Sequence, residues 1–77
     1  MSRDNEECRL FGESIRRLRT AAGLTQEELA DRSGIDRSYI GGVERGERNP
    51  TLVVIKKIAI GLNIPLASLF SYDKGEA

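Results

Sequence analysis

The sequence predicts an all-α fold of five short helices, the second and third joined by a tight turn. Three observations predict it. Apolar residues recur at three- and four-residue spacing and nowhere alternate in the manner of a strand. Gly23, Gly34, Pro50 and Pro65 cut the chain into segments of helical length. The capping residues Thr25 and Asp36 stand just ahead of the two central segments.

The first helix is expected over residues 8–22, where Phe11, Ile15, Leu18 and Ala22 form one apolar stripe. Arg16 and Arg17 point away from that stripe and Arg19 lies on its border. Gly23 ends the helix in a position that tolerates left-handed geometry. The run Thr25-Gln26-Glu27-Glu28 is a capping box that opens the second helix, with Leu29 and Ala30 as buried contacts and Gly34 as the stop. Asp36 caps a third helix reaching about Arg45, with Ile40 and Val43 facing inward. Two short helices about a Gly-centred turn make a helix-turn-helix. A fourth helix starts near Pro50-Thr51 and runs to about Leu62, with Leu52, Ile55, Ala59 and Leu62 as its core stripe. A short fifth helix follows Pro65 and carries Leu66, Leu69 and Phe70. The polar ends read as flexible.

At 77 residues the chain makes one domain with a modest core. Lys+Arg and Asp+Glu are each 12, so net charge decides nothing about nucleic acid. The distribution does. Residues 14–70 hold nine bases against six acids, and nine of the twelve bases are Arg, whose planar fork suits phosphates and base edges. Cys8 is the lone cysteine and there is no His, so there is no internal disulfide framework, and neither a structural zinc site nor a catalytic Cys is expected. No acid–base pair can be drawn, so no enzyme and no cofactor is expected. Without an apolar run of about 20 residues or a signal stretch, the expected location is the cytoplasm, with no membrane partner.

The informative segment runs from Thr25 to Arg45. A third helix laid in the major groove of double-stranded DNA presents its first turn, Arg37 and Ser38, to base edges. Arg bonds guanine O6 and N7 together, so Arg37 is the expected main reader. A cation there opposes the helix dipole, which a residue serving stability alone would not do. Gln26, at the start of the second helix, is placed to hold a phosphate and set the docking register. Arg45, Arg48 and Asn49 leave the third helix where the phosphate backbone crosses, and Glu47 should point away. Tyr39 either offers its hydroxyl to a phosphate or lies across the core edge. Gly41-Gly42 either clears room for DNA or admits another helix. Arg19 and Glu44, on the margins of their stripes, suit a partly buried ion pair between the first and third helices. Val53 and Ile60 share a second apolar face of the fourth helix. With Ile64 nearby, that face reads as a homodimer surface.

The chain resembles the Cro/C1-type (XRE) helix-turn-helix family, and within it the controller proteins of restriction–modification systems. The resemblance rests on FGESIRRLR (11–19), GLTQEELA (23–30), GIDRSYIGGVERGERNPT (34–51) and IAIGLNIP (58–65). It implies a five-helix, lambda-repressor-like DNA-binding domain over 8–70, with 1–7 and 71–77 as flexible termini. It further implies a homodimer formed through the last helices and operator binding with the third helix; the expected partners are a palindromic double-stranded DNA operator and RNA polymerase. By position, Gln26 carries over as phosphate anchor, Arg37 and Ser38 as groove readers, Arg48 as the loop arginine, and Arg19–Glu44 as the interhelical pair. Gly41 departs from the small hydroxyl residue often found there in controllers, and Glu47 adds negative charge near the DNA. A phage-like repressor, an antitoxin of the same family, or a protein-interaction module that does not bind DNA stay open at this point.

Overall fold

The computed structural model describes residues 3–72; residues 1–2 and 73–77, parts of the termini expected to be flexible, lie outside the described residues. Among the described residues there are four α-helices, α1 (Arg3–Ala21), α2 (Gln26–Ser33), α3 (Arg37–Glu44) and α4 (Leu52–Leu62), followed by a 3-10 turn at Leu66–Phe70. The expected fifth α-helix is thus a correction. Its bonds run from the Ser68 N–H to the Pro65 carbonyl and from the Ser71 N–H to the Ser68 carbonyl, the tighter three-residue pattern. Five residues after a proline are too few to offset α-helix nucleation, and short pieces adopt the 3-10 form instead.

α1 begins well before Cys8, so residues 3–7 belong to a helix. Apolar periodicity cannot reveal that extension because it is polar. Arg9 pairs with Glu6 and with Glu13, each at 2.8 Å, along the helix surface. The capping box at the start of α2 forms in both directions. The Glu28 N–H donates to the Thr25 hydroxyl at 3.0 Å, and the Thr25 N–H to the Glu28 carboxylate at 2.8 Å. Gly34, at φ 69°, ends α2 with its N–H turned back to the carbonyls of Ala30 and Asp31. With no Cβ it takes this left-handed geometry without strain, which keeps the link to α3 down to Gly34, Ile35 and Asp36.

The core gathers Phe11 and Ile15 of α1, Leu29 and Ala30 of α2, Ile40 and Val43 of α3, Ile58, Ala59 and Leu62 of α4, and Leu69. α2 packs on α4 and on α3, while α1 packs on α3 and on the 3-10 turn. Buried Ser14 donates its hydroxyl to the Leu69 carbonyl at 2.7 Å, tying that turn to α1. Gly12 permits the α1–α3 contact, because a Cβ there would lie 2.2 Å from the Val43 carbonyl oxygen. Gly61 does the same for α2–α4 opposite Ser33. That close approach turns the buried face of α4 toward Ile58 and Gly61. Leu52, expected in the core on the same stripe as buried Ala59 and Leu62, is the first residue of α4 and is 70% exposed.

Candidate nucleic-acid interface

The first turn of α3 is open to solvent. Arg37 is exposed and among the described residues makes no ion pair. Asp36 accepts hydrogen bonds from both the hydroxyl and the N–H of Ser38. These bonds, the hydroxyl's foremost, hold the Asp36 carboxyl below the usual carboxylate range. Ser38 is exposed beside Arg37, but its hydroxyl faces its own cap and must rotate to meet a base.

Behind this edge, α3 turns Ile40 and Val43 fully inward. Gly41 and Gly42 are buried too, beneath the side chains of Gln26, Arg45 and Arg48. A Cβ on Gly41 would meet Arg45 Nη1 at 3.1 Å and Gln26 Oε1 at 3.6 Å, and one on Gly42 would meet Arg48 Cγ at 3.0 Å. The paired glycines therefore form a flat seat over which Gln26, Arg45 and Arg48 lie. The Arg48 guanidinium stands 5.4 Å from the centroid of the Tyr39 ring. Tyr39 itself is half-buried against the core edge. Arg45 pairs with Glu47 at 3.1 Å, both side chains about 60% exposed. Glu47 thus folds back onto its neighbour, and a contact this wet contributes little.

The loop after α3 rests on α1. The Glu47 N–H donates to the Gly42 carbonyl at 2.9 Å, and Gly46 sits at φ 78° with its α-carbon facing Arg9 so closely that a Cβ would lie 2.9 Å from Arg9 Cα. Only glycine meets both demands. Exposed Arg48 and Asn49 are carried on this corner.

Arg19 and Glu44 meet in a two-pronged ion pair, Nε to Oε2 at 2.6 Å and Nη2 to Oε1 at 3.0 Å. Their side chains are only 12% and 3% exposed. Arg19 Nη1 also donates to the Leu24 carbonyl at 2.8 Å, and Gln26 Nε2 to Glu44 Oε1 at 3.0 Å. Hydrogen bonding to Glu44 raises the Arg19 pKa above its ordinary value, against the opposing effect of burial. Four groups from α1, α2, α3 and the α1–α2 link are thus locked together, and Gln26 is held at the head of α2. The sequence shows Gln26 only as a helix-start residue; its bond to Glu44 depends on how the three helices are packed.

On α4, Leu52, Val53 and Ile60 are 70%, 66% and 63% exposed, and Ile64, near Ile60, is half-buried. Leu52 and Val53 share a groove with Lys56, Lys57 and Leu66, while Ile60 and Ile64 line a neighbouring one with Asn63 and Pro65. Among the described residues, no three His, Cys, Asp or Glu side chains gather as a metal site. Among them also, no helix is long and apolar enough to cross a membrane.

Two central helices with an open α3 edge, flanked by arginines on a glycine-seated corner, define a helix-turn-helix protein. The helix-turn-helix family model matches residues 15–69, and the chain belongs to that family, in its Cro/C1 (XRE) branch. Its relatives include restriction–modification controllers. It is 42% identical over 62 residues to control protein C.MunI of Mycoplasma sp, covering 79% of this chain and 84% of that one. The crystal structure of the controller C.AhdI from Aeromonas hydrophila superposes with a TM-score of 0.83 at 55% identity, over 84% of this chain and 98% of that one. C.Esp1396I bound to a 19 base pair DNA duplex matches at 35% identity and a TM-score of 0.78, over 84% and 87% of the two chains.

Proposed function

We propose that residues 8–70 form the DNA-binding domain of a transcriptional regulator. It binds a two-fold related operator as a homodimer and serves as the controller protein of a restriction–modification system. The observation that carries this is the free first turn of α3, with Arg37 unpaired and exposed and no helix of the described chain covering it. Around that turn, Gln26, Tyr39, Arg45, Arg48 and Asn49 are the proposed backbone contacts, and Ser38 the second reader. The Arg19–Glu44 pair fixes α1 against α3 and so sets the angle at which α3 is offered. Val53, Ile60 and Ile64 with Leu52 supply the dimer surface, since isolated apolar residues of this size rarely stand together uncovered. The controller likenesses support this reading, and RNA polymerase is the partner through which such a dimer would act on transcription.

The deciding experiment is selection of a preferred site from a pool of random duplexes, followed by fluorescence anisotropy on that site. Arg37→Ala should lose about 1–3 kcal/mol of discrimination, roughly 5- to 150-fold, at one base pair of each half-site. Unchanged discrimination removes Arg37 as the reader. Failure to select any duplex removes the DNA-binding reading itself.

A further inference from the structure

Three of the chain's four aromatic residues gather beside one cavity. Phe11 of α1, Phe70 of the 3-10 turn and Tyr72 line a space of about 130 Å³, together with Ile55 of α4 and Pro50. The rings follow one another at centroid distances of 5.3 Å and 6.3 Å, tilted by 33° and 43°. Phe11 is buried, whereas Phe70 and Tyr72 are only half-buried. A cavity of about 150 Å³ walled by apolar side chains holds a benzene, so this one admits a single compact group. The charge at its edge has one sign. Glu7 supplies a carboxylate, and no Lys or Arg among the described residues lines the space. Glu7 stands one helical turn before Phe11 on the same face of α1. It is exposed and makes no ion pair among the described residues. Core packing accounts for Phe11 but asks for no acid beside it.

We propose that this cavity binds a small organic cation, a quaternary ammonium of the choline type. An aromatic ring carries negative charge on its face and attracts a cation within about 6 Å of its centre. The methyl groups of such a cation are apolar and gain by leaving water for a cavity of this lining. Glu7 supplies the countercharge at the edge. An anion would meet that carboxylate with no lining cation to offset it, and a neutral ring would gain nothing from it. The same chemistry already occurs once within the chain, where the Arg48 guanidinium stands 5.4 Å from the Tyr39 ring. The site stands apart from the DNA-binding reading, since α1, α4 and the 3-10 turn build most of it.

The test is an NMR titration of the isotope-labelled full chain, without DNA. The two probes are choline and the neutral alcohol in which a tert-butyl group replaces the trimethylammonium group, so that shape is kept and charge is lost. Choline should move the amide signals of Cys8, Phe11, Asn49 and Phe70 to saturation. It should bind about 5- to 30-fold more tightly than the alcohol. Glu7→Gln, at an exposed position, should weaken choline several-fold and leave the alcohol unchanged. Tyr72→Leu keeps apolar bulk but removes a ring, and should narrow the preference for choline. Equal binding of the two probes refutes the cation site, as do shifts that never saturate or that fall elsewhere on the chain. A choline affinity indifferent to both substitutions refutes it too.

Discussion

Replacing Glu44 with Ala removes three hydrogen bonds at once, two from Arg19 and one from Gln26. The Arg19 guanidinium, only 12% exposed, would keep one neutral partner, the Leu24 carbonyl. Breaking one side of a buried pair typically costs about 3–5 kcal/mol, because the surviving charge stays desolvated. A 77-residue domain has roughly 4–12 kcal/mol to lose at about 0.05–0.15 kcal/mol per residue. Glu44→Ala should therefore remove a large share of the stability and lower Tm by at least about 12 °C. Urea unfolding followed by far-UV circular dichroism measures this, with chain concentration fixed because a dimer's stability depends on it. The double change Arg19→Met with Glu44→Leu should recover much of the loss, since it leaves no unpaired charge inside. A loss below about 1 kcal/mol for Glu44→Ala would place the pair with solvated surface bridges. That result would refute both its burial and its role in setting the tilt of α3.

Other perturbations probe the remaining parts. Val53→Asp places a charge on an exposed apolar face, so the fold should survive. Each contact is made twice across a two-fold axis, so the dimer should lose at least about 3 kcal/mol, roughly a hundredfold in dissociation constant by sedimentation equilibrium. An unchanged constant would move the dimer surface elsewhere. Gly12→Ala drives a methyl into the Val43 carbonyl and should cost about 1–3 kcal/mol in urea unfolding, whereas Gly41→Ala needs only the end of Arg45 to shift and should cost less. Equal costs would contradict the packing of α1 on α3. The carboxyls of Glu28 and Asp36 are held below their ordinary range, Glu28 chiefly by the Thr25 N–H and Asp36 chiefly by the Ser38 hydroxyl. The unfolded chain therefore takes up these protons at a higher pH than the folded one. The urea midpoint should hold from about pH 7 to about pH 5 and fall below about pH 4 as the caps protonate. A midpoint flat down through the acid range would show that the caps contribute nothing.

Local chemistry was legible because its causes lie within a few residues of each other. Thr25 with Glu28 forms the capping box, Asp36 caps α3, and Gly34 stops α2. The inward Phe11 and Ile15 of α1 and Ile40 and Val43 of α3 follow from spacing alone, whereas Ala22, expected on the α1 stripe, is exposed just past the helix end. Boundaries were less legible where charge, and not apolar period, supports a helix, as in the early turns of α1. The segment after Pro65 carries apolar residues at helical spacing, yet its short length makes it a 3-10 turn.

By itself the sequence determined where α2 and α3 start and stop, the inward positions of α1, α2 and α3 around Ile15, Leu29 and Ile40, and that Arg37 opens the third helix. These depend on caps, turn residues and periodicity, which act over a turn or two of chain. Only the tertiary structure decided that Gly12 and Gly61 are sites of backbone approach, and that Leu52 is left outside the core. It alone also decided that Gly41 and Gly42 seat Arg45 and Arg48, and that Gln26 closes onto Glu44. Each of these depends on which atoms of a distant helix arrive within contact distance, and helical spacing within one segment carries no information about its neighbour's approach.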